Sequence, residues 1–157
     1  MRIIFLLIFL TITSIKLSAQ QKVPAFRMAL SNGKLFHASS LPQGKPIIVI
    51  YFSPECDHCH ILMKEWFKQA GNFKKASVAM ITFLPLNSVV LFEKEYSTKQ
   101  HSNIITGTEG TAFFVRNYYK VLDMPFVALH DKNGNLVSTY SKDIPLNTLA
   151  AKLRQLN

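Results

Sequence analysis

The sequence of 157 residues is poor in cysteine, tryptophan and acidic side chains. It has two cysteines, one tryptophan and nine acidic against 18 basic residues. Two cysteines form one disulfide at most, which excludes a small domain held together by a disulfide framework. No apolar run reaches the roughly 20 residues that a membrane-spanning helix needs. The 48% apolar content is enough for an ordinary globular core. The two cysteines are therefore not needed to hold the fold together, and their presence needs another explanation.

The first 19 residues have the pattern of a secretory signal peptide. Met1-Arg2 precedes an apolar run over residues 3–12, and Leu17-Ser18-Ala19 ends in small residues. We expect cleavage after Ala19, leaving one domain over residues 20–157 in the periplasm or another extracytoplasmic compartment. An uncleaved membrane anchor and a buried first strand are the alternatives.

The domain after the signal is basic. It keeps 16 basic residues against nine acidic ones, a formal charge of about +7. The lysines are scattered along the chain, and Lys74-Lys75 is the only adjacent pair. No basic run is interleaved with aromatic residues. The sequence therefore predicts no nucleic-acid partner and at most a peripheral association with membranes.

Both cysteines lie in the stretch YFSPECDHCH at residues 51–60. Cys56 and Cys59 form a C-x-x-C pair, which closes almost no loop and is therefore poorly placed as a structural disulfide. Thiol–disulfide exchange uses the same spacing. An exported chain meets an oxidising environment in which such a pair can cycle.

The flanking residues predict a strand before the cysteines and a helix after them. Residues 47–52 are apolar and follow the turn Gly44-Lys45-Pro46, which is typical of a buried central strand. Apolar residues then recur at helical spacing up to Gly71-Asn72. Cys56 is thus expected at a helix N-terminus, where unpaired N–H groups and the helix dipole favour a thiolate.

The rest of the chain alternates strands and helices. A turn at residues 31–34 predicts an N-terminal hairpin of short strands, and Pro145 begins a closing amphipathic helix. This order predicts an α/β domain with a mixed sheet. The other predicted elements are a strand at 77–84, helices at 89–96 and 111–119, and strands at 126–130 and 136–140 around a turn at 131–134.

With Tyr119-x-Val121-x-x-x-Pro125 before a strand and a hairpin, this order resembles the thioredoxin-like superfamily, and within it the TlpA/ResA-like extracytoplasmic thiol–disulfide oxidoreductases. The resemblance implies a thioredoxin-like fold with a mixed central sheet flanked by helices. It also implies an N-terminal β-hairpin and a helix–strand element inserted between Cys59 and Pro125. By the same resemblance, Met124-Pro125 is a cis-proline loop that faces the C-x-x-C and helps hold the partner chain.

Chemistry then assigns the roles of the two thiols. Cys56 is the exposed nucleophile, and Cys59 resolves the mixed disulfide that Cys56 forms. A protonated His58 would stabilise a thiolate, whereas Glu55 and Asp57 would oppose it by like-charge repulsion. The expected partners are cysteine-containing proteins and an upstream electron donor. We expect a monomer without a cofactor, acting as a reductase as the subfamily implies.

Three departures from the family pattern stand out. Glu55 occupies the position at which thioredoxins usually have tryptophan, and Leu62 the position at which TlpA/ResA-like reductases often have glutamate. The buried aspartate of thioredoxin has no counterpart in residues 47–52. The usual proton acceptor for the second thiol is therefore missing, and His60 or Glu65 could replace it.

Other functions can be read from the same stretch. With His60 it is C-x-x-C-H, a haem-attachment pattern, although it follows a buried strand rather than the mature N-terminus. Cys56, Cys59 and a histidine could instead deliver copper or hold zinc. Ser53-x-x-Cys56 faintly resembles a peroxiredoxin site, and the dithiol could also be idle in a binding module. The remaining histidines are predicted to be ordinary surface or strand residues, namely His37, His101 and His130.

Overall fold

The computed structural model describes residues 20–156, which form a seven-stranded mixed sheet with helices on both faces. The strand order is β2-β1-β5-β4-β3-β6-β7, with β3, β4 and β5 parallel and the other pairs antiparallel. The strands are β1 (Arg27–Leu30), β2 (Leu35–His37), β3 (Ile47–Tyr51), β4 (Ser77–Thr82), β5 (Ile104–Thr108), β6 (Phe126–His130) and β7 (Leu136–Ser141). The helices are α1 (Asp57–Lys68), α2 (Leu86–Tyr96), α3 (Phe114–Tyr119) and α4 (Leu146–Gln155).

Strand β3 is the centre of the molecule. It pairs in parallel with β4 and antiparallel with β6, and all five of its residues are buried. Alternate side chains of a strand point to opposite faces, so β3 contributes to two cores. Ile48 and Ile50 pack with α1, α2 and α4, whereas Val49 and Tyr51 pack with β1 and α3. The predicted buried strand is confirmed, and it fixes the position from which the cysteines start.

Helix α1 follows β3 after a short break at Ser53-Pro54. Its buried side chains Leu62, Met63 and Trp66 lie on one face, as the apolar spacing predicts. The indole of Trp66 stacks on Phe73 with ring centroids 4.0 Å apart. This packing holds α1 against the core on one face of the sheet.

The predicted N-terminal hairpin and inserted helix–strand element are both present. Strands β1 and β2 pair antiparallel around the turn at residues 31–34, and β1 continues the sheet by pairing with β5. Helix α2 and strand β5 lie between β4 and α3 in the chain, and β5 fills the place between β1 and β4. The insertion therefore widens the sheet by one central parallel strand.

Two helix boundaries differ from the sequence prediction. Helix α2 begins at Leu86, directly after Pro85, three residues before the predicted start. The helix predicted over residues 111–119 is broken at Phe113, whose φ is +46°, so α3 itself begins at Phe114. A short 3-10 turn, Gly110–Ala112, precedes the break. A left-handed backbone cannot continue an α-helix, which separates the two pieces.

The N-terminal segment of the domain lies beside the β6–β7 turn. The side-chain amide of Gln20 donates to the Leu136 carbonyl at 3.3 Å, and the Leu136 N–H donates to the Gln21 carbonyl at 2.7 Å. The predicted signal peptide, residues 1–19, lies outside the described residues. Within residues 20–156, none of the helices is long and apolar enough to cross a membrane.

Candidate functional site

The site lies at one edge of the sheet, which we call the dithiol edge. Strands β3, β4 and β5 end there and β6 begins there, because Tyr51 pairs with both Ile81 and Phe126. Loops at the carboxyl ends of parallel strands converge at one edge of a sheet, the common position of active sites in α/β folds. The C-x-x-C and Met124-Pro125 both belong to these loops.

Cys56 is the N-cap residue of α1. Its backbone is extended, with φ −99° and ψ 124°, and its carbonyl accepts the first helical hydrogen bond from the His60 N–H at 3.0 Å. Its own N–H donates to the Ser53 carbonyl at 3.1 Å. The thiol is partly exposed and stands at the positive end of the helix dipole. The position predicted from the sequence is therefore the one that the fold gives it.

Cys59 lies one turn into α1 and is 1% exposed. It packs in the core with Leu62 and Met63, and both cysteines are free thiols. Burial raises the pKa of Cys59 to about 12, opposed by a hydrogen bond from the Ser53 backbone and reinforced by the neighbouring Cys56. The two thiols are thus unequal, one accessible to a partner and one protonated and hidden behind it.

The Met124–Pro125 loop faces the accessible thiol. The peptide bond between the two residues is cis, and the Cys56 thiol donates to the Met124 carbonyl with a sulfur–oxygen distance of 3.9 Å. Pro125 is buried, and its carbonyl accepts a hydrogen bond from the Lys142 N–H at 2.8 Å. The end of β7 therefore holds this loop against the dithiol edge.

The charged residues around the cysteines are on the surface. Glu55, Asp57 and His58 are all exposed, and Asp57 is in the first turn of α1, where a negative charge also interacts favourably with the helix dipole. Water screens charges at such exposed positions, which weakens their interaction with neighbouring groups. The structure brings all three to the cysteines, as the sequence requires for any modulating role.

The two suggested substitutes for the missing acid have other partners. Nδ1 of His60 lies 3.2 Å from the Tyr96 hydroxyl and 4.0 Å from a carboxylate oxygen of Glu95. Glu65 Oε1 accepts from Lys68 Nζ at 2.6 Å. The groups that shift the pKa of Cys59 are Ser53 and Cys56, and neither His60 nor Glu65 is among them. Leu62 fills the family position of the acid and is itself buried.

A groove that the sequence does not indicate lies along the first part of α1. It has a volume of about 340 Å³ and runs between α1 and the loop at residues 142–146. His58, Ile61 and Glu65 line one wall, and Lys142 and Ile144 are on the other. Ile61 is 62% exposed although it is apolar. The sequence places Ile61 on a helix, but only the Lys142–Pro125 hydrogen bond reveals that the loop adjoins the site.

Tyr119 and His130 are hydrogen-bonded at the end of β6 that lies away from the dithiol edge. The Tyr119 hydroxyl donates to His130 Nε2 at 2.7 Å, and His130 Nδ1 donates to the Gly134 carbonyl at 3.1 Å. His130 is fully buried, and burial lowers its pKa to about 4, against a smaller opposite effect of Gly134. It is a strand residue with satisfied nitrogens, as predicted, rather than a ligand facing the cysteines.

The described residues bring no cluster of histidine, cysteine or carboxylate ligands to the site. Within residues 20–156, no three His, Cys, Asp or Glu side chains are grouped so that they could hold a metal ion. A zinc site on the two thiols would therefore lack a third ligand of these types from this part of the chain.

Comparison with known proteins agrees with this geometry. A family model described as a thioredoxin-like domain matches residues 38–157, and none of the curated proteins matches. A thiol-disulfide oxidoreductase from Bacteroides fragilis is 15% identical with a TM-score of 0.71, over 87% of this chain and 100% of that one. A secreted Mycobacterium tuberculosis disulfide oxidoreductase homologous to E. coli DsbE is 17% identical with a TM-score of 0.69, over 84% and 96%.

The pneumococcal exposed lipoprotein thioredoxin Etrx1 from Streptococcus pneumoniae is also similar, with 21% identity and a TM-score of 0.61 over 83% of this chain and 98% of that one. At these identities the likeness establishes a shared fold. The matching family model covers most of the described domain, including both cysteines and the cis-proline loop. The chain therefore belongs to the thioredoxin-like domain family.

Proposed function

We propose that this protein is an exported thiol–disulfide oxidoreductase that exchanges electrons with the cysteines of partner proteins. One observation carries the proposal. The half-buried Cys56 caps α1 and faces the Met124 carbonyl at 3.9 Å, with the buried Cys59 behind it. A partner's sulfur can approach Cys56 from solvent, whereas Cys59 is reached only through Cys56.

The reductive reaction follows from this asymmetry. The Cys56 thiolate attacks one sulfur of a partner disulfide, forming a mixed disulfide, and the partner's other sulfur leaves and takes up a proton. Cys59 then loses its proton to solvent and attacks Cys56 Sγ. The Cys56–partner bond breaks, the second partner thiol is released, and the Cys56–Cys59 disulfide holds the oxidation. An upstream donor must supply two electrons to restore the dithiol.

The cis-proline loop is proposed to hold the partner chain during this exchange. The Met124 carbonyl lies beside the attacking sulfur, and the exposed Leu122 precedes it with 89% of its surface accessible. An extended partner segment could hydrogen-bond the loop backbone in the manner of an added strand. Glu55, Asp57 and His58 would then adjust the stability of the thiolate from the surface.

The reductase direction rests on the resemblance to the TlpA/ResA-like proteins. It is tested by the reduction potential of the Cys56–Cys59 pair, measured by equilibration with glutathione buffers. A value near −270 mV, that of thioredoxin, supports a reductase, and a value near −120 mV, that of DsbA, would reverse the direction. Metal content is determined on the same reduced sample, and stoichiometric copper would favour the metal-delivery alternative.

An extracytoplasmic location is part of the proposal. It is supported by the signal-like sequence of residues 1–19 and by the similar secreted and exposed proteins from M. tuberculosis and S. pneumoniae. The working unit is then residues 20–157 as a monomer. Cleavage after Ala19 is checked by the N-terminal sequence of the protein recovered from an expressing cell.

The roles of the two cysteines are tested by serine variants in a disulfide-reduction assay with a peptide substrate. Cys56→Ser should abolish turnover. Cys59→Ser should stop after one attack and accumulate a mixed disulfide that survives non-reducing electrophoresis. Turnover by Cys59→Ser at the wild-type rate would disprove its resolving role, and activity in Cys56→Ser would disprove the proposed nucleophile.

A further inference from the structure

Five exposed lysines converge at the sheet edge opposite the dithiol edge. Lys45 comes just before β3, and Lys74-Lys75 come just before β4. These two segments adjoin, since the Ser77 N–H donates to the Pro46 carbonyl at 2.9 Å. Lys132 lies in the β6–β7 turn, next to the start of β3. We call this surface the basic pole, formed by Lys22, Lys45, Lys74, Lys75 and Lys132.

The N-terminal segment brings the fifth lysine to the same place. Lys22 forms an isolated β-bridge with Asn135, and its Nζ donates to the Asn133 carbonyl at 3.3 Å. Lys22, Lys45 and Lys132 line one open pocket of about 290 Å³. The lysines are scattered in the sequence, and the fold brings them together.

Little negative charge offsets the basic pole. Among residues 20–24, 42–46, 74–76 and 131–135, which form this surface, Asp131 is the one acid. Its carboxylate already accepts hydrogen bonds from the Asn133 and Asn135 N–H groups at 2.8 Å each. Acidic residues lie in the loops of the dithiol edge, namely Glu55, Asp57, Asp123 and Asp143, and at the end of α2, where Glu93 pairs with Lys99. The basic pole itself therefore carries an excess of positive charge.

The chain enters the domain at the basic pole. Gln20 and Gln21 are hydrogen-bonded to Leu136, the first residue of β7. Polybasic surfaces bind anionic phospholipids. The residues lining the pocket include no aromatic side chain, which single-stranded nucleic acid would need for base stacking.

We propose that the basic pole docks on the surface of a membrane containing anionic phospholipids, with the dithiol edge facing away from it. Each lysine within a Debye length of an anionic surface raises the partition coefficient of the protein onto the membrane by about fivefold. Strand β3 separates the two edges by about 13 Å, so Cys56 stays open to partners while the pole is bound. The lysines fix the orientation of the domain relative to the membrane. The proposal does not depend on which reaction the thiols perform.

The test compares binding of the full-length protein to vesicles of phosphatidylcholine alone and of phosphatidylcholine with phosphatidylglycerol, by co-sedimentation. Any apolar contribution of the N-terminal residues is common to both vesicles, so the ratio of the two partition coefficients reports the charge. A pole variant carries Lys45→Gln, Lys74→Gln and Lys132→Gln. The matched control carries Arg27→Gln, Lys34→Gln and Lys64→Gln, three exposed cations outside the pole.

The pole variant should lower the anionic-to-neutral ratio by about 100-fold at low salt, and the control by less than about fivefold. An equal decrease of the anionic-to-neutral ratio in both variants would show that net charge alone is responsible and would overturn the proposal. A wild-type anionic-to-neutral ratio near one would overturn it as well. Equal affinity of wild type for duplex DNA, lost in the same variant, would make the pole a general polyanion surface and overturn the lipid assignment.

Orientation is measured on the same samples through the rate at which a water-soluble maleimide labels Cys56. The rate should be the same for vesicle-bound and free wild-type protein. Strong protection on binding would place the dithiol edge against the lipid and refute the orientation. Without vesicles, the pole variant should match wild type in labelling rate and in disulfide reduction, which separates this surface from the proposed exchange reaction.

Discussion

The burial of Cys59 predicts an unusual pH dependence for the second step of exchange. With its pKa raised to about 12, chiefly by burial, only about one Cys59 in 10⁵ is a thiolate at pH 7. An ordinary thiol would be ionised to a few per cent. The smaller contributions of Cys56 disappear once that residue is in a mixed disulfide, but burial remains. The attack of Cys59 on Cys56 should therefore accelerate about tenfold per pH unit from about pH 7 to pH 10, without a plateau.

The assay is stopped-flow mixing of reduced protein with a peptide disulfide that carries a fluorescent label on each half. The first phase releases one labelled thiol as Cys56 is captured, and the second releases the other as Cys59 attacks. Cys59→Ser is the control, since it should retain the first phase and lack the second. A second phase that levels off near about pH 8.5 would refute the reasoning, because Cys59 would then titrate like an exposed thiol.

The same assay tests whether the missing acid limits the second step. Leu62 is buried three residues after Cys59 on the same face of α1, so Leu62→Glu would place a carboxylate beside the thiol. We expect the second phase near neutral pH to accelerate by at least about tenfold, since a positioned general base typically contributes 10²–10⁴. Leu62→Gln is the control, because glutamine has the size and polarity of glutamate but cannot act as a base. An equal acceleration by Leu62→Gln would assign the effect to hydration of the thiol and not to proton transfer.

Two further predictions concern stability. Burial lowers the pKa of His130 to about 4, whereas an unfolded histidine titrates near 6.5. The neutral His130 side chain therefore contributes fully to the free energy of unfolding above about pH 6.5, and this contribution is lost as pH falls towards 4. Urea unfolding should show that the free energy of unfolding falls by about 2 kcal/mol by about pH 5. His130→Gln should remove this pH dependence, and the same pH dependence in that variant would assign the loss to other groups. At Gly107, an added Cβ would lie 2.8 Å from both the Ala29 carbonyl oxygen and Met28 Cγ. Gly107→Ala should therefore cost about 1–3 kcal/mol of unfolding free energy, whereas Gly71→Ala, with open space around it, should be near neutral; equal values would disprove the steric argument.

The elements with strong local patterns were predictable from the sequence. Strand β3 is a continuous β-branched and aromatic run between turn signals, and such a run is stable only when both faces are covered. The β6–β7 hairpin was equally clear, because Asp131 bonds the Asn133 N–H within its own turn. In both cases the local chemistry and the tertiary position demand the same conformation.

The elements that depend on distant partners were not predictable. Strand β5 contains Gly107 and two threonines, a weak strand signal that the sequence analysis did not single out. Its glycine is required because Met28 and Ala29 of β1 occupy the space of a side chain. The break at Phe113 has the same origin, since its ring packs on Phe83, 5.8 Å away, across the dithiol edge. Tertiary packing overrides local helix preference at that position.

At the site, the motif identified the thiols but not their surroundings. In the structure Cys56 lies beside Met124, with a sulfur–oxygen distance of 3.9 Å. The partners of His60 and Glu65 could not be inferred, because Tyr96 belongs to a different helix and Lys68 is only one of several lysines in reach along the chain. A sequence states which groups are available, and the fold decides which of them are already occupied.

The distribution of charge shows the same limit most clearly. Lys45, Lys74 and Lys132 are separated by dozens of residues, so a linear reading finds no basic cluster. Yet each lies just before a parallel strand or in a turn at the same end of the sheet. The parallel strands β3 and β4 start at the same edge of the sheet, and the β6–β7 turn lies there because β6 is antiparallel to β3, so lysines that are distant in the sequence form one cluster. The net charge of the chain, which is what composition reports, does not reveal such a local cluster.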